Sequence, residues 1–213
     1  MFATIFEVIN VRLQLLGLAL LGLTMTPTAI ANERYLALEE LPVEVKPFVE
    51  TGTQPLALSS GDLNGDGRQD FVLVLERQAV QPSSPDGRDR QRPLLVLVRQ
   101  ENGFLQEVRR NDRVVLCSDC GGIWGDPFAG VEVGPKTLTV SHYGGSNWRW
   151  SYEYQFNYSR QDNTWQLVRV KETSFHTSDP TTNETAIYTP PEHFGKIDLA
   201  DFDPENWQGR GPK

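Results

Sequence analysis

Gly61-Asp62-Leu63-Asn64-Gly65-Asp66-Gly67-Arg68-Gln69-Asp70, running straight into Phe71-Val72-Leu73-Val74-Leu75, is the stretch on which the fold turns. Counted from Asp62, oxygen-bearing side chains occupy the first, third, fifth and ninth positions, and glycine the sixth. Calcium takes roughly six to eight hard oxygen ligands in a flexible shell. Asp62, Asn64, Asp66 and Asp70 offer four side chains of that kind, and the Arg68 carbonyl a fifth. Gly67 tolerates the positive φ that wraps such a loop round an ion. Three carboxylates this close repel one another unless a cation intervenes. A helix–loop–helix site would carry a bidentate Glu at the twelfth position, but Leu73 stands there, inside a run that reads as a strand. The unit is therefore strand–loop–strand. A plain hairpin is the alternative, since Asn64-Gly65 and Asp66-Gly67 are both strong turn dipeptides.

Outward from the loop, β signals dominate. Phe71 to Leu75 and Leu94 to Val98 are continuous apolar runs rich in β-branched residues, the pattern of strands buried on both faces. Glu101-Asn102-Gly103 turns the chain into a further strand over Phe104 to Arg109. The polar, proline-bearing stretch from Gln78 to Arg92 reads as a solvated loop. Further on, Gly130 to Val133 with Thr137 to Tyr143, and Trp148 to Tyr158 with Thr164 to Lys171, read as two hairpins. Asn32 to Thr53, with Pro42 and Pro47, reads as a broken helix or extended arm. From Asp179 to Lys213 acids outnumber bases, which suggests an acidic tail over the surface.

The stretch from about Leu56 to Arg110 resembles the calcium-binding hairpin of FG-GAP or VCBS-type repeats, the blades of integrin-α-like propellers. The residues that carry the likeness are Ala57-Leu58, the loop Gly61 to Gly67, and Asp70-Phe71-Val72-Leu73-Val74. The resemblance implies a four-stranded blade with Ca2+ held by Asp62, Asn64, Asp66, Arg68 through its backbone, and Asp70. Only one such loop is present, whereas a propeller closes with several blades. The single unit is expected to bury its face against the second meander.

The chain has 213 residues and a formal net charge of -8. That balance argues against a nucleic-acid or anionic-membrane partner, both of which need a cationic footprint. The apolar run within Val11 to Leu23, followed by Ala29-Ile30-Ala31, has the form of a signal peptide over 1–31. It is short for a bilayer span, which takes roughly 20 apolar residues, though an uncleaved anchor is the alternative reading. No cysteine follows the run, so it is not a lipoprotein signal. The expected product is exported, periplasmic or extracellular, with no stable membrane span after cleavage.

Cys117-Ser118-Asp119-Cys120, followed by Gly121-Gly122, reads as a structural disulfide in an exported chain. Zinc and redox chemistry are minor alternatives, because His142, His176 and His193 show no paired spacing and no βαβ pattern surrounds the motif. Trp148, Trp150, Tyr152, Tyr154, Phe156 and Tyr158 occupy alternate positions, which places six aromatics on one strand face. Burial of that face is favoured over a sugar-stacking platform, with rings near the strand end such as Trp148 the most exposed. His142 shares a face with Leu138 and Val140 and reads as a core histidine.

These readings give a mainly β protein in which a blade-like antiparallel unit (56–110) packs on an aromatic meander (111–178), within a β-rich domain spanning 32–178. The expected function is a calcium-binding interaction module for a protein or glycan partner, without catalytic residues. The alternative is an extracytoplasmic glycan-acting enzyme or accessory with a cleft near Cys117–Phe128 and Tyr143–Trp150, in which Asp126, Asp119 or Glu153 would converge on His142. A purely structural envelope protein is the third possibility.

Overall fold

A computed structural model describes residues 34–78 and 91–207. The signal-peptide expectation for 1–31 and most of the solvated-loop expectation for 78–92 lie outside these residues. Among the described residues, nine strands form two antiparallel sheets, each a simple meander. The first sheet contains β1 (Thr53–Gly61), β2 (Asp70–Arg77), β3 (Arg92–Arg99) and β4 (Leu105–Val115). The second contains β5 (Phe128–Gly134), β6 (Thr137–Gly145), β7 (Trp148–Ser159), β8 (Thr164–His176) and β9 (Asp179–Tyr188). The mainly β class and the antiparallel pairing follow the sequence reading.

The continuous apolar runs of β2 and β3 do face apolar surroundings on both sides. Strand geometry sends alternate side chains to opposite faces. Val72, Val74, Leu94, Val96 and Val98 therefore join a core shared with Leu138, Val140, Tyr154, Phe156 and Trp165 of the second sheet. Phe71, Leu73, Leu75, Leu95 and Leu97 point the other way, into a second cluster completed by Leu41 and Val45. The segment before β1 is thus a cover for the outer face of the first sheet. It carries two short 3-10 turns, Leu38–Glu40 and Lys46–Phe48, in place of a helix. Pro42 and Pro47 limit helix length, while Leu41 and Val45 supply the apolar contacts.

The two sheets come together edge to edge where β1 ends. Gly61 approaches Val133 so closely that a Cβ would fall 2.7 Å from its Cγ1. The Lys136 amide donates to the Asp62 carbonyl at 2.9 Å.

Two sequence expectations differ from the fold. Residues 179–207 are not a surface tail: Asp179–Tyr188 is the fifth strand of the second sheet, paired along β8 from Thr173↔Thr185 to Val170↔Tyr188. The chain then doubles back, bridging Gln166↔Asp198 and burying Phe194, Leu199 and Phe202 in the shared core. Asn111 of β4 ties this segment down, donating to the carbonyls of Leu199 and Phe202 at 2.6 and 2.7 Å. Acidic composition hid three apolar residues spaced widely enough to show no periodicity. Arg92, read as the end of a polar loop, opens β3 and is 1% exposed. Among the described residues, no helix is long and apolar enough to cross a membrane.

Candidate functional site

The loop between β1 and β2 is built on its own carboxylates. Asp62 Oδ1 accepts from the Gly65 and Asp66 amides at 2.6 and 3.1 Å, and Oδ2 from the Gly67 amide at 2.9 Å. Burial pushes the Asp62 carboxyl up, but these amides outweigh it and hold the group below its ordinary value. Gly65 and Gly67 adopt φ of 78° and 82°, which is the left-handed conformation that lets three successive amides turn inward. Asn64 Oδ1 accepts from the Asp66 amide and Asp66 Oδ1 from the Arg68 amide, both at 2.9 Å.

Asp70 sits behind this rim, fully buried. Its Oδ2 accepts from the Leu63 amide at 2.9 Å and its Oδ1 from the Arg99 amide at 2.8 Å. One carboxylate thus staples the loop to the end of β3, and each oxygen keeps one lone pair. Burial raises the Asp70 carboxyl above its ordinary value, against the pull of the two amides. Two cations of the protein itself crowd the loop. Arg68 Nη2 reaches Asp66 Oδ2 at 2.7 Å while its Nε donates to the Arg99 carbonyl at 3.1 Å. The stem of Lys136 lies across Gly65.

The donor set is made of hard oxygens alone, which suits calcium and not a thiophilic metal. As folded, the carboxylates are engaged with amides and with Arg68. Among the described residues, the one group of three ligating atoms within 4.8 Å of one another is Cys117, Asp119 and Cys120. Its sulfurs are spent in the Cys117–Cys120 disulfide, with the Cα atoms 5.1 Å apart.

Asn64, Asp66 and Arg68 also form one wall of a groove of about 760 Å3. Its other walls are the β3–β4 hairpin, with Gln100, Asn102 and Gln106, and the β7–β8 turn, with Tyr158 and Asn163. These residues belong to two sheets and lie some fifty positions apart, so nothing local in the sequence assembles them. Asn163, at φ 50° in its turn, does carry a local signal, since asparagine tolerates that conformation.

The disulfide corner holds a different arrangement. Arg92 donates through Nη1 to Asp126 Oδ1 at 2.7 Å and to the Leu116 carbonyl at 3.0 Å. Its Nη2 reaches Glu76 at 2.9 Å and the second oxygen of Asp126. Arg34 also pairs with Asp126. His142 is 1% exposed, and its Nε2 accepts from the Leu116 amide at 3.2 Å. Burial, reinforced by the Arg92 charge, lowers its pKa to about 3. Asp126 is therefore committed to guanidinium groups, and Glu153 binds Arg169 and Lys171. Two of the carboxylates expected to converge on His142 in an enzyme, Asp126 and Glu153, are thus paired with cations of the protein itself.

The aromatic row grades from core to solvent: Phe156 and Tyr154 are buried, Trp150 and Tyr152 half-buried, and Trp148 is 56% exposed. Trp150 stacks on Tyr152 at 4.8 Å and Tyr152 on Tyr154 at 6.2 Å. Trp150, Tyr152 and Tyr154 thus stack in series, while Trp148 meets the His176 ring edge-on at 5.1 Å. The chain matches no protein-family model and no curated protein.

Proposed function

We propose that this protein is an exported calcium-binding interaction module whose binding face is the groove beside the 61–70 loop. The observation that carries the reading is the shared wall: Asn64, Asp66 and Arg68 belong both to the oxygen-rich loop and to the groove. Calcium at the loop would be held by Asp62, Asn64, Asp66 and the Arg68 carbonyl, with Asp70 contributing from behind through its remaining lone pairs. The ion would stiffen one wall of the groove, coupling metal to partner. Export is supported by the apolar run ending in Ala29-Ile30-Ala31 and by a disulfide, a bond that persists in oxidising compartments.

The test is thermal unfolding of the purified protein in EDTA and in millimolar calcium, beside an Asp66→Ala variant. A ligand bound only by the native state adds about 2.7 kcal/mol at one hundred times Kd. At about 2 to 4 °C per kcal/mol for a chain of this size, Tm should rise by about 5 to 11 °C, and much less in the variant. Equal melting in both solutions would remove calcium from the reading.

A further inference from the structure

We infer that the groove takes a neutral oligosaccharide, an inference that rests on the groove being the binding face and names the class of partner. Its volume of about 760 Å3 falls within the usual range for small-molecule sites, roughly 300 to 1,000 Å3. The charges in its walls cancel: Arg68, Arg99 and Arg109 stand against Asp66, Glu101 and Glu107. The guanidiniums are already spent within the protein. Arg68 holds Asp66, and Arg99 holds Glu44 and the carbonyls of Gln69 and Gly103. Arg109 holds Thr164 and the carbonyls of Val108 and Asn163. A phosphate or carboxylate ligand would have to compete with these internal partners for its counter-charge.

The groups left over are amides. Gln100 uses its nitrogen on the Val98 carbonyl, which frees Oε1. Asn102 uses its oxygen on the Phe104 amide, and Asn163 its oxygen on the Tyr158 hydroxyl, which frees two NH2 groups. Gln106 is exposed and has no hydrogen-bond partner among the described residues. The two walls thus offer both donors and acceptors, and a sugar hydroxyl is itself both donor and acceptor. Tyr158, half-buried and packed 5.1 Å from Trp165, supplies an apolar surface for the C–H face of a sugar ring. An uncharged, hydroxyl-rich chain satisfies every feature of the groove.

The experiment is calorimetric titration of the purified protein with chitohexaose, cellohexaose and maltohexaose, each in calcium and in EDTA, with hexagalacturonate as the anionic comparator. At least one neutral hexasaccharide should bind. Gln106→Ala and Asn102→Ala, both at exposed positions, should each weaken it by at least tenfold. Trp148→Ala, at the far aromatic corner, should leave it unchanged. Failure of all three neutral chains at millimolar concentration, tighter binding of hexagalacturonate, or sensitivity to Trp148→Ala without sensitivity to Gln106→Ala would each overturn the assignment. Binding that is equal in calcium and EDTA would count against the metal and leave the oligosaccharide site standing.

Discussion

Arg92→Met tests whether a buried charge cluster joins the disulfide corner to the first sheet. The side chain is 1% exposed, and its partners Asp126 and Glu76 are 5% and 15% exposed. Methionine keeps the stem and removes every bond to Asp126, Glu76 and the Leu116 carbonyl. Breaking a buried ion pair from one side costs about 3 to 5 kcal/mol, because the remaining charge is stranded. Here Arg34 and the Phe128 amide still reach Asp126, and the Tyr35 hydroxyl still reaches Glu76. Those contacts place the loss near the lower end, about 3 kcal/mol. At about 2 to 4 °C per kcal/mol, Tm should fall by about 6 to 12 °C in calorimetry. Asp126→Leu and the double variant complete a cycle that isolates the pair. The double variant should be clearly more stable than the sum of the two single losses implies. A single variant melting within about 2 °C of the parent, or strictly additive losses, would refute the argument that this pair carries the junction.

Other outcomes follow from the same contacts. His142 ordinarily titrates at 6.5 and in the fold at about 3, so the unfolded chain binds the extra proton between those values. Stability contributed by the neutral ring is complete above pH 6.5 and is lost as pH falls toward 3. Unfolding free energies from urea titration should therefore decline by up to about 1.4 kcal/mol per pH unit in that window, a slope that His142→Phe should remove; an unchanged slope would show that other groups cause it. Arg68→Gln frees Asp66 from its internal cation, so calcium should bind more tightly by calorimetry, at a cost to the metal-free protein below about 1 kcal/mol for so exposed a pair. Weaker calcium binding would show that Arg68 helps the site. Gly121→Ala leaves no room for its methyl against the Gly125 carbonyl, so it should destabilise by at least as much as the roughly 2 kcal/mol expected from opening the four-residue disulfide ring. Chemical denaturation of Gly121→Ala beside the Cys117→Ser/Cys120→Ser pair ranks the two.

What could be read from sequence was what is local. Phe71 to Leu75 and Leu94 to Val98 announce strands because each residue between them meets apolar neighbours on one face or the other. The alternation from Trp148 to Tyr158 announces a strand because its core face is continuous from Tyr154 to Phe156. β9 carries no such signal: Glu184 to Tyr188 pair with Ser174 to Val170 of β8, and the polar run Thr181-Thr182-Asn183-Glu184-Thr185 gives the strand no apolar period. Arg92 looked like loop because its partner Asp126 lies 34 positions away. The second duty of Asp70 was hidden in the same way, since the Arg99 amide it accepts belongs to another strand. The groove is the extreme case, drawing amides from two hairpins that meet only after both sheets have formed.

The place of Phe194, Leu199 and Phe202 also makes the shared core depend on the chain that follows β9. Both meanders pair neighbour with neighbour, so each sheet can assemble from short-range contacts as the chain lengthens. Part of the space between them is filled by side chains of the segment after β9, which Asn111 of β4 holds by donating to the Leu199 and Phe202 carbonyls. A chain stopped near residue 190 would hold two sheets with an unsealed seam.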